Sequence, residues 1–215
     1  MSNNGPPLRG NVFVISAPSG AGKTSLVRSL VRDDPSVMIS ISHTTRPQRP
    51  AEVDGDHYHF VSTQRFGEMA RRGEFIEHAR VFGNDYGTSG HWIEAQRNSG
   101  YDIILEIDWQ GARQVREQVP DSVGIFILPP SLEQLEWRLR QRRQDSEAII
   151  GQRMRAAVEE IHHYHEYAYL LINDDFATAV EQLRTIIHSQ RLSQPRQAAV
   201  HADLIAGLLA VGTQE

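Results

Sequence analysis

Cysteine is missing from all 215 residues, which excludes disulfides and thiolate metal sites and is compatible with a reducing compartment. Lysine is nearly missing: among 22 basic residues it occurs once, as Lys23, and arginine supplies the rest. There is no excess of positive charge either. A formal net charge of −5 and a pI of about 6.1 argue against a nucleic-acid binder that relies on a basic surface. No apolar run approaches membrane-spanning length, and residues 1–9 form a polar lead without the hydrophobic segment of a signal peptide. These absences leave a soluble cytoplasmic enzyme as the expectation, with no nucleic-acid or membrane partner and enough chain to bury a full core.

What is present begins with Ala17-Pro18-Ser19-Gly20-Ala21-Gly22-Lys23-Thr24. This stretch follows the apolar run Val12-Phe13-Val14-Ile15 and precedes a helical pattern with Leu26, Leu30 and Val31 apolar. Strand, glycine-rich turn and helix form the context of a phosphate-binding loop. Gly20 and Gly22 let the backbone curl so that successive N–H groups point inward, and the helix N-terminus adds partial positive charge. Lys23 can then reach terminal phosphates, and the Thr24 hydroxyl can ligate Mg²⁺. Ala17 stands where the strict pattern has glycine. That the single lysine falls inside this loop fits a slim ammonium beside a phosphate, where a planar guanidinium is too broad.

Along the chain, Asp33-Asp34-Pro35 stops the first helix, and Met38–Ile41 reads as a short strand. The two prolines of Ser42–Pro50 predict an extended loop. Tyr58–Val61 reads as strand, Ser62 or Thr63 as the cap of a helix to about Arg72, Phe75–Phe82 as strand, Gly83–Thr88 as turn, and Ser89–Asn98 as helix. The runs 103–108 and 123–128 read as buried parallel strands. Ser131 caps a helix through about Arg140; a long helix then reaches about His165, Leu170–Asn173 is the last strand and Ala177–Arg191 the helix behind it. The fold class is therefore α/β, a parallel sheet of P-loop NTPase type flanked by helices and interrupted twice, at about 40–97 and about 138–155. A tail at 192–215 places Val200, Leu204, Leu208 and Val211 on one helical face, to pack on its own core or on a partner subunit of a homo-oligomer.

The ordered motifs resemble the guanylate kinase family over about 10–191. They are Ser16 to Thr24, Ser42-His43-Thr44-Thr45-Arg46 with Arg49, Phe75-Ile76-Glu77-His78-Ala79, Gly83-Asn84-Asp85-Tyr86-Gly87-Thr88, Ile107-Asp108-Trp109-Gln110-Gly111 and Ile172-Asn173-Asp174-Asp175. The resemblance implies transfer of the ATP γ-phosphate to GMP with Mg²⁺, in purine nucleotide metabolism. It also implies a core at 10–39, 98–137 and 156–191, a GMP-binding insertion at 40–97 and a lid at 138–155. Tyr58 and Tyr86 would donate to the GMP phosphate, Glu77 would read guanine with Ser42 and Thr88 near the base, and Asp108 would belong to the GMP site. Arg138, Arg142 and Arg153 would clamp the phosphates on lid closure, and Asn173 would lie near adenine, unless it caps a helix.

The residues themselves supply the chemistry such a transfer needs. An acceptor phosphate oxygen is already anionic, so catalysis reduces to holding two phosphates in line and neutralising charge. Arg46 and Arg49, three apart in a proline-stiffened loop, suit a grip on a phosphate. Guanine presents adjacent N1–H and N2–H donors that one carboxylate accepts together, whereas adenine offers an acceptor there. Two departures stand out from the family pattern: Glu106 where aspartate is usual, able to contact Mg²⁺ through water or to turn towards an arginine, and Arg143 where glycine is usual. His162, His163 and His165 have no spacing for a shared metal and read as surface residues. A kinase for another nucleoside monophosphate is one alternative. A silent guanylate-kinase-like binding module is the other, though its phosphate loop would be degraded, and here it is intact.

Overall fold

The computed structural model describes residues 8–141 and 146–211. The chain runs from β1 (Val12–Ser16) through the glycine turn into α1 (Lys23–Asp33) and β2 (Val37–Ile39). A second group follows: β3 (His43–Thr44), β4 (His59–Phe60), α2 (Thr63–Arg71), β5 (Phe75–Val81), β6 (Asn84–Ser89) and α3 (Gly90–Asn98). The chain then returns through β7 (Asp102–Glu106), α4 (Trp109–Gln118), β8 (Val123–Leu128), α5 (Leu132–Gln141) and α6 (Glu147–Ile161). After a 3-10 turn at Tyr164–Glu166 come β9 (Tyr169–Ile172), α7 (Phe176–Arg191), α8 (Gln194–Val200) and α9 (Ala202–Val211).

The core sheet has the order β2-β7-β1-β8-β9, with every neighbouring pair parallel. β1 lies at its centre and is wholly buried, which is why its sequence is apolar at consecutive rather than alternating positions. Phe13 and Ile15 pack with Leu26, Leu30, Leu183 and Ile187 of α1 and α7 on one face. Val12 and Val14 pack with Ile93, Ala112 and Val115 of α3 and α4 on the other. The α/β expectation is met, with helices on both faces.

A second sheet, β4-β3-β6-β5, is mixed: β3 and β4 are parallel, and the β3–β6 and β5–β6 pairs antiparallel. It corrects the expected turn at 83–88. The turn is confined to Phe82 and Gly83, both with positive φ (47° and 80°), and Asn84–Ser89 is strand. The small polar residues of that stretch sit in a ladder between two other strands, which outweighs their turn preference. Likewise, the 42–50 loop contains β3. Ser62 is the cap of α2, its side chain accepting from Arg65 N–H.

Three further differences concern helices. Residues 109–118, given no element from the sequence, form α4, capped by Asp108. The long helix expected to reach His165 ends at Ile161. His163 instead stacks on Trp109, with ring centroids 3.8 Å apart, and its Nδ1 lies 2.7 Å from Glu166, so it is not a plain surface histidine. The tail is two helices broken at His201, and Leu204, Ile205, Leu208 and Leu209 are exposed, so it does not pack on its own core.

Gly10, ahead of β1, is tied down by Arg97, 2% exposed at the end of α3. Its Nε donates to Gly10 O at 2.9 Å and its Nη2 to Asp121 at 2.9 Å, while Gly10 N–H donates to Arg97 O at 2.8 Å. Removing the guanidinium leaves the Gly10 carbonyl without its side-chain donor and empties the space the side chain fills, while the exposed Asp121 stays hydrated. Arg97→Ala is expected to lower unfolding free energy by roughly 2 kcal/mol, read from urea denaturation at neutral pH. A loss under about 1 kcal/mol would mean that water replaces those bonds.

Candidate active site

The glycine turn between β1 and α1 adopts a geometry other residues resist: φ is 101° at Gly20 and 96° at Gly22. Ala21 N–H donates to Pro18 O at 3.0 Å, closing the curl, and its carbonyl turns outward to accept Asn173 Nδ2 at 2.6 Å. Asn173 is 4% exposed, just past β9, and does not cap α7; Asp175 does, accepting from Thr178 N–H. Arg138 of α5 reaches the same place, with Nη2 donating to Asn173 O at 3.0 Å and Nη1 to Ala21 O at 3.4 Å. Ala17, Pro18 and Ser19 complete the loop ahead of Gly20, and Lys23 opens α1.

As the last residue of β7, Glu106 faces this loop. Its Oε2 accepts the Thr24 hydroxyl at 2.7 Å and lies 4.0 Å from Lys23 Nζ. The longer side chain thus turns towards the loop and not towards an arginine. A hydroxyl and a carboxylate beside a phosphate loop are hard oxygen donors of the kind Mg²⁺ takes, and this is the place where the residues fit that ion. Among the described residues no cluster of three or more His, Cys, Asp or Glu could hold a metal by itself.

The second sheet contributes two clusters. In the first, Arg46 is gripped by Glu52 (Nη2 to Oε1, 2.6 Å), donates to Pro47 O at 2.8 Å, and lies over the rings of Tyr58 and Phe60. The other Glu52 oxygen accepts Arg49 N–H at 2.8 Å, leaving the Arg49 side chain at the surface. Tyr86 meets Tyr58 edge-on with centroids 5.8 Å apart. Burial raises the Tyr58 phenol pKa, the neighbouring Tyr86 adds to the rise, and Arg46 works against it.

In the second cluster Glu77, 2% exposed, accepts from Thr88 Oγ1, which lies 3.1 Å from Ser42 Oγ. The three predicted base-reading residues are therefore in one hydrogen-bonded row. Burial pushes Glu77 up to about 7, the Thr88 bond lowers it and Asp108 raises it. Asp108 sits beside it as the cap of α4, its Oδ1 accepting Gly111 N–H at 2.9 Å. A Cβ on Gly111 would stand 2.5 Å from Glu77 Oε2, so this glycine admits the carboxylate.

The guanylate kinase family profile matches residues 9–190. This chain belongs to the guanylate kinase family. Among curated relatives, the guanylate kinase of Vibrio cholerae serotype O1 is 52% identical over 204 residues, covering 94% of this chain and 99% of its own. That of Alkalilimnicola ehrlichii is 54% identical over 202 residues, covering 94% and 100%. The crystal structure of guanylate kinase from Anaplasma phagocytophilum superposes with a TM-score of 0.75 at 32% identity, covering 88% of this chain and 90% of that one.

The predicted residues within the described chain fall into two groups, one at the loop between β1 and α1 and one on the second sheet. Arg153 lies half-buried on α6; Arg142 and Arg143 fall outside the described residues. Two residues carry no sequence signal of their own: Gly111, which looks like any helical glycine, and Glu160, a carboxylate of α6 pushed up to about 7 by burial. For Glu52, which braces Arg46 and the Arg49 backbone, the one signal is its spacing, three after Arg49 in a loop rich in arginine.

Because the folded pKa of Glu77 lies above its ordinary value, folding takes up a proton there. The stability this contributes is full below about pH 4.5 and is lost as pH rises through about 7. The stability advantage of Glu77→Gln, uncharged throughout, over the wild type is expected to grow by roughly 2 kcal/mol between pH 5 and pH 8 in urea denaturation. Equal slopes against pH for the two proteins would show that Glu77 stays ionised on folding.

Proposed function

We infer that this chain transfers the γ-phosphoryl group of ATP to GMP, giving ADP and GDP, with dGMP as a further acceptor, in purine nucleotide metabolism and GMP recycling. The observation that carries the reading is the pairing of an intact phosphate loop with a buried carboxylate, Glu77, in a hydroxyl-lined row on the facing sheet. The loop's inward amides and Lys23 receive the ATP phosphates. Arg46, Arg49, Tyr58 and Tyr86 receive the GMP phosphate, with Glu52 holding Arg46 flat over the tyrosine until the phosphate arrives.

Guanine brings two donors to Glu77, and each bond to the carboxylate favours its ionised form, drawing its pKa down from about 7. Adenine brings a bare acceptor to the same oxygens and leaves the burial cost uncompensated. Asp108 and Ser42 bound this pocket. Thr24 and Glu106 are the residues to hold Mg²⁺, which when bound with ATP neutralises charge on its phosphates. Arg138, already against the loop, would join Arg142 and Arg153 in clamping the phosphates, with 40–97 as the GMP-binding insertion and 138–155 as the lid. Asn173 borders the adenine end.

The composition favours a cytoplasmic enzyme, and no helix among the described residues is long and apolar enough to cross a membrane. A homo-oligomer formed through the tail is supported by the exposed Leu204, Leu208 and Leu209 of α9 and by the exposed Leu170 and Ile172 on the edge strand β9.

A coupled assay for ADP release with ATP and Mg²⁺, offering GMP, AMP, CMP and UMP in parallel, tests the reading. Turnover is expected with GMP alone, falling on the order of a thousandfold in Lys23→Ala. Binding of GMP without turnover would overturn it. Deleting residues 196–215 is expected to reduce the mass measured by light scattering, and an unchanged mass would remove the tail as an interface.

A further inference from the structure

The strand that carries Glu77 is the last of its sheet: β5 pairs with β6 on one side and with no described strand on the other. A strand edge leaves the N–H and C=O of alternate residues without a ladder partner. On either side of Glu77, helix α4 supplies those partners. Gln114 Oε1 accepts His78 N–H at 3.0 Å, and Gln114 Nε2 donates to His78 O at 2.9 Å. Gln118 Nε2 donates to Ile76 O at 2.6 Å.

A primary amide carries an acceptor and a donor side by side, so Gln114 stands in for one peptide unit of a neighbouring strand. Gln118 comes one helical turn later and lies on the same side of α4. Gly111, three residues before Gln114, shares that side, and a Cβ on it would stand 2.5 Å from Glu77 Oε2. One face of α4 therefore holds the backbone before and after Glu77 and makes room for its carboxylate between. The ladder with β6 does not do this alone: the register shifts between Phe75 and Glu77, and Ile76 is left out of the pairing. Gln118 is exposed and Gln114 half-buried, so water could satisfy the same backbone groups. Water cannot fix their distance from a helix that packs through Ala112 and Val115 against Val12 and Val14 of β1.

We propose that Gln114, assisted by Gln118, is a positioning residue for guanine selection: it sets the register of β5 on α4, and with it the place of the Glu77 carboxylate. The proposal rests on the reading of Glu77 as the acceptor for guanine. Neither glutamine touches the base; both act through the β5 backbone. Hydrogen bonds weaken steeply off their preferred geometry, and a displaced carboxylate keeps one of two adjacent bonds more readily than both. The loss then falls hardest on a base with two donors. Hypoxanthine, which has the N1–H and lacks the amino group of guanine, reports that difference.

Gln114→Met keeps the length and helix preference of the side chain and removes two bonds; Gln118→Met removes one. Steady-state kinetics of the full-length protein with GMP and IMP as acceptors read the effect. Gln114→Met is expected to raise KM for GMP on the order of tenfold, to leave KM for ATP unchanged, and to lower the GMP-over-IMP ratio of kcat/KM on the order of threefold. Gln118→Met is expected to move the same quantities in the same direction by less, and it carries the test if Gln114→Met does not fold. A KM for GMP within about twofold of wild type in the folded variants would overturn the proposal. So would equal losses for GMP and IMP, or a parallel rise in KM for ATP with a lowered melting temperature, which mark general loosening. Glu77→Gln separates the premises, with GMP affinity read by calorimetry. Wild-type affinity there would sink the base-reading assignment itself, whereas lost affinity with an inert Gln114→Met would sink only the positioning role.

Discussion

The arrangement of the site depends on one carbonyl, that of Ala21, which accepts both the Asn173 amide and the Arg138 guanidinium. The Asn173 amide can come to 2.6 Å only because Gly22 has no side chain; a Cβ there would lie 2.3 Å from Asn173 Nδ2, on a residue whose φ is already 96°. Ala21 O is thus held from β9 and α5 together, and α1 starts at Lys23, straight after the left-handed Gly22. The same contact ties the first strand of the sheet to the end of the last, since Asn173 N–H donates to Leu128 O and so continues the β8–β9 ladder. A glycine without a Cβ, a buried amide and a parallel register are thus one requirement seen at three scales.

Across from the loop the same economy is used with charges. Glu52 and Glu77 are both carboxylates withdrawn from solvent, yet their surroundings set them to different states. Glu52 has an arginine and a backbone N–H, one for each oxygen, and its pKa stays below the ordinary value despite burial. Glu77 has one hydroxyl and a like-charged neighbour, and burial leaves it titrating near neutrality. The first is spent on holding a cation in place; the second keeps acceptor capacity for a ligand with two donors.

Much of this was legible in the sequence, and for specific reasons. Consecutive apolar residues at 12–15, 103–105 and 125–127, short and bounded by turn residues, read as buried parallel strands, and Gly-Lys-Thr after such a strand has few other readings. Arg46 and Arg49 were legible from their spacing in a proline-stiffened loop, whereas Tyr58, Glu77, Tyr86 and Thr88 came from motif resemblance, since a glutamate alternating in a strand announces nothing of its burial. What stayed hidden is what depends on distant packing. β6 is strand because β3 and β5 lie on either side of it, against the local preference of Gly-Asn-Asp. α6 stops at Ile161 where Trp109 and Glu166, themselves from other elements, capture His163. Gly111 matters through what faces it, and no spacing records a face. The reading of Asn173 as a cap failed because Asp175, two residues on, does that work.

The order of the core sheet has a consequence for synthesis. β1 leaves the ribosome early, but Val12 pairs with Ile103 and Phe13 with Val123, so both of its neighbours are made long after it. Until then an apolar five-residue strand has no ladder on either side, whereas β3 to β6 can pair among themselves as soon as residue 89 emerges. The segment carrying the phosphate loop is therefore the longest-waiting part of the nascent chain, and the interval before β8 appears is when the chain most needs protection from pairing with a neighbour.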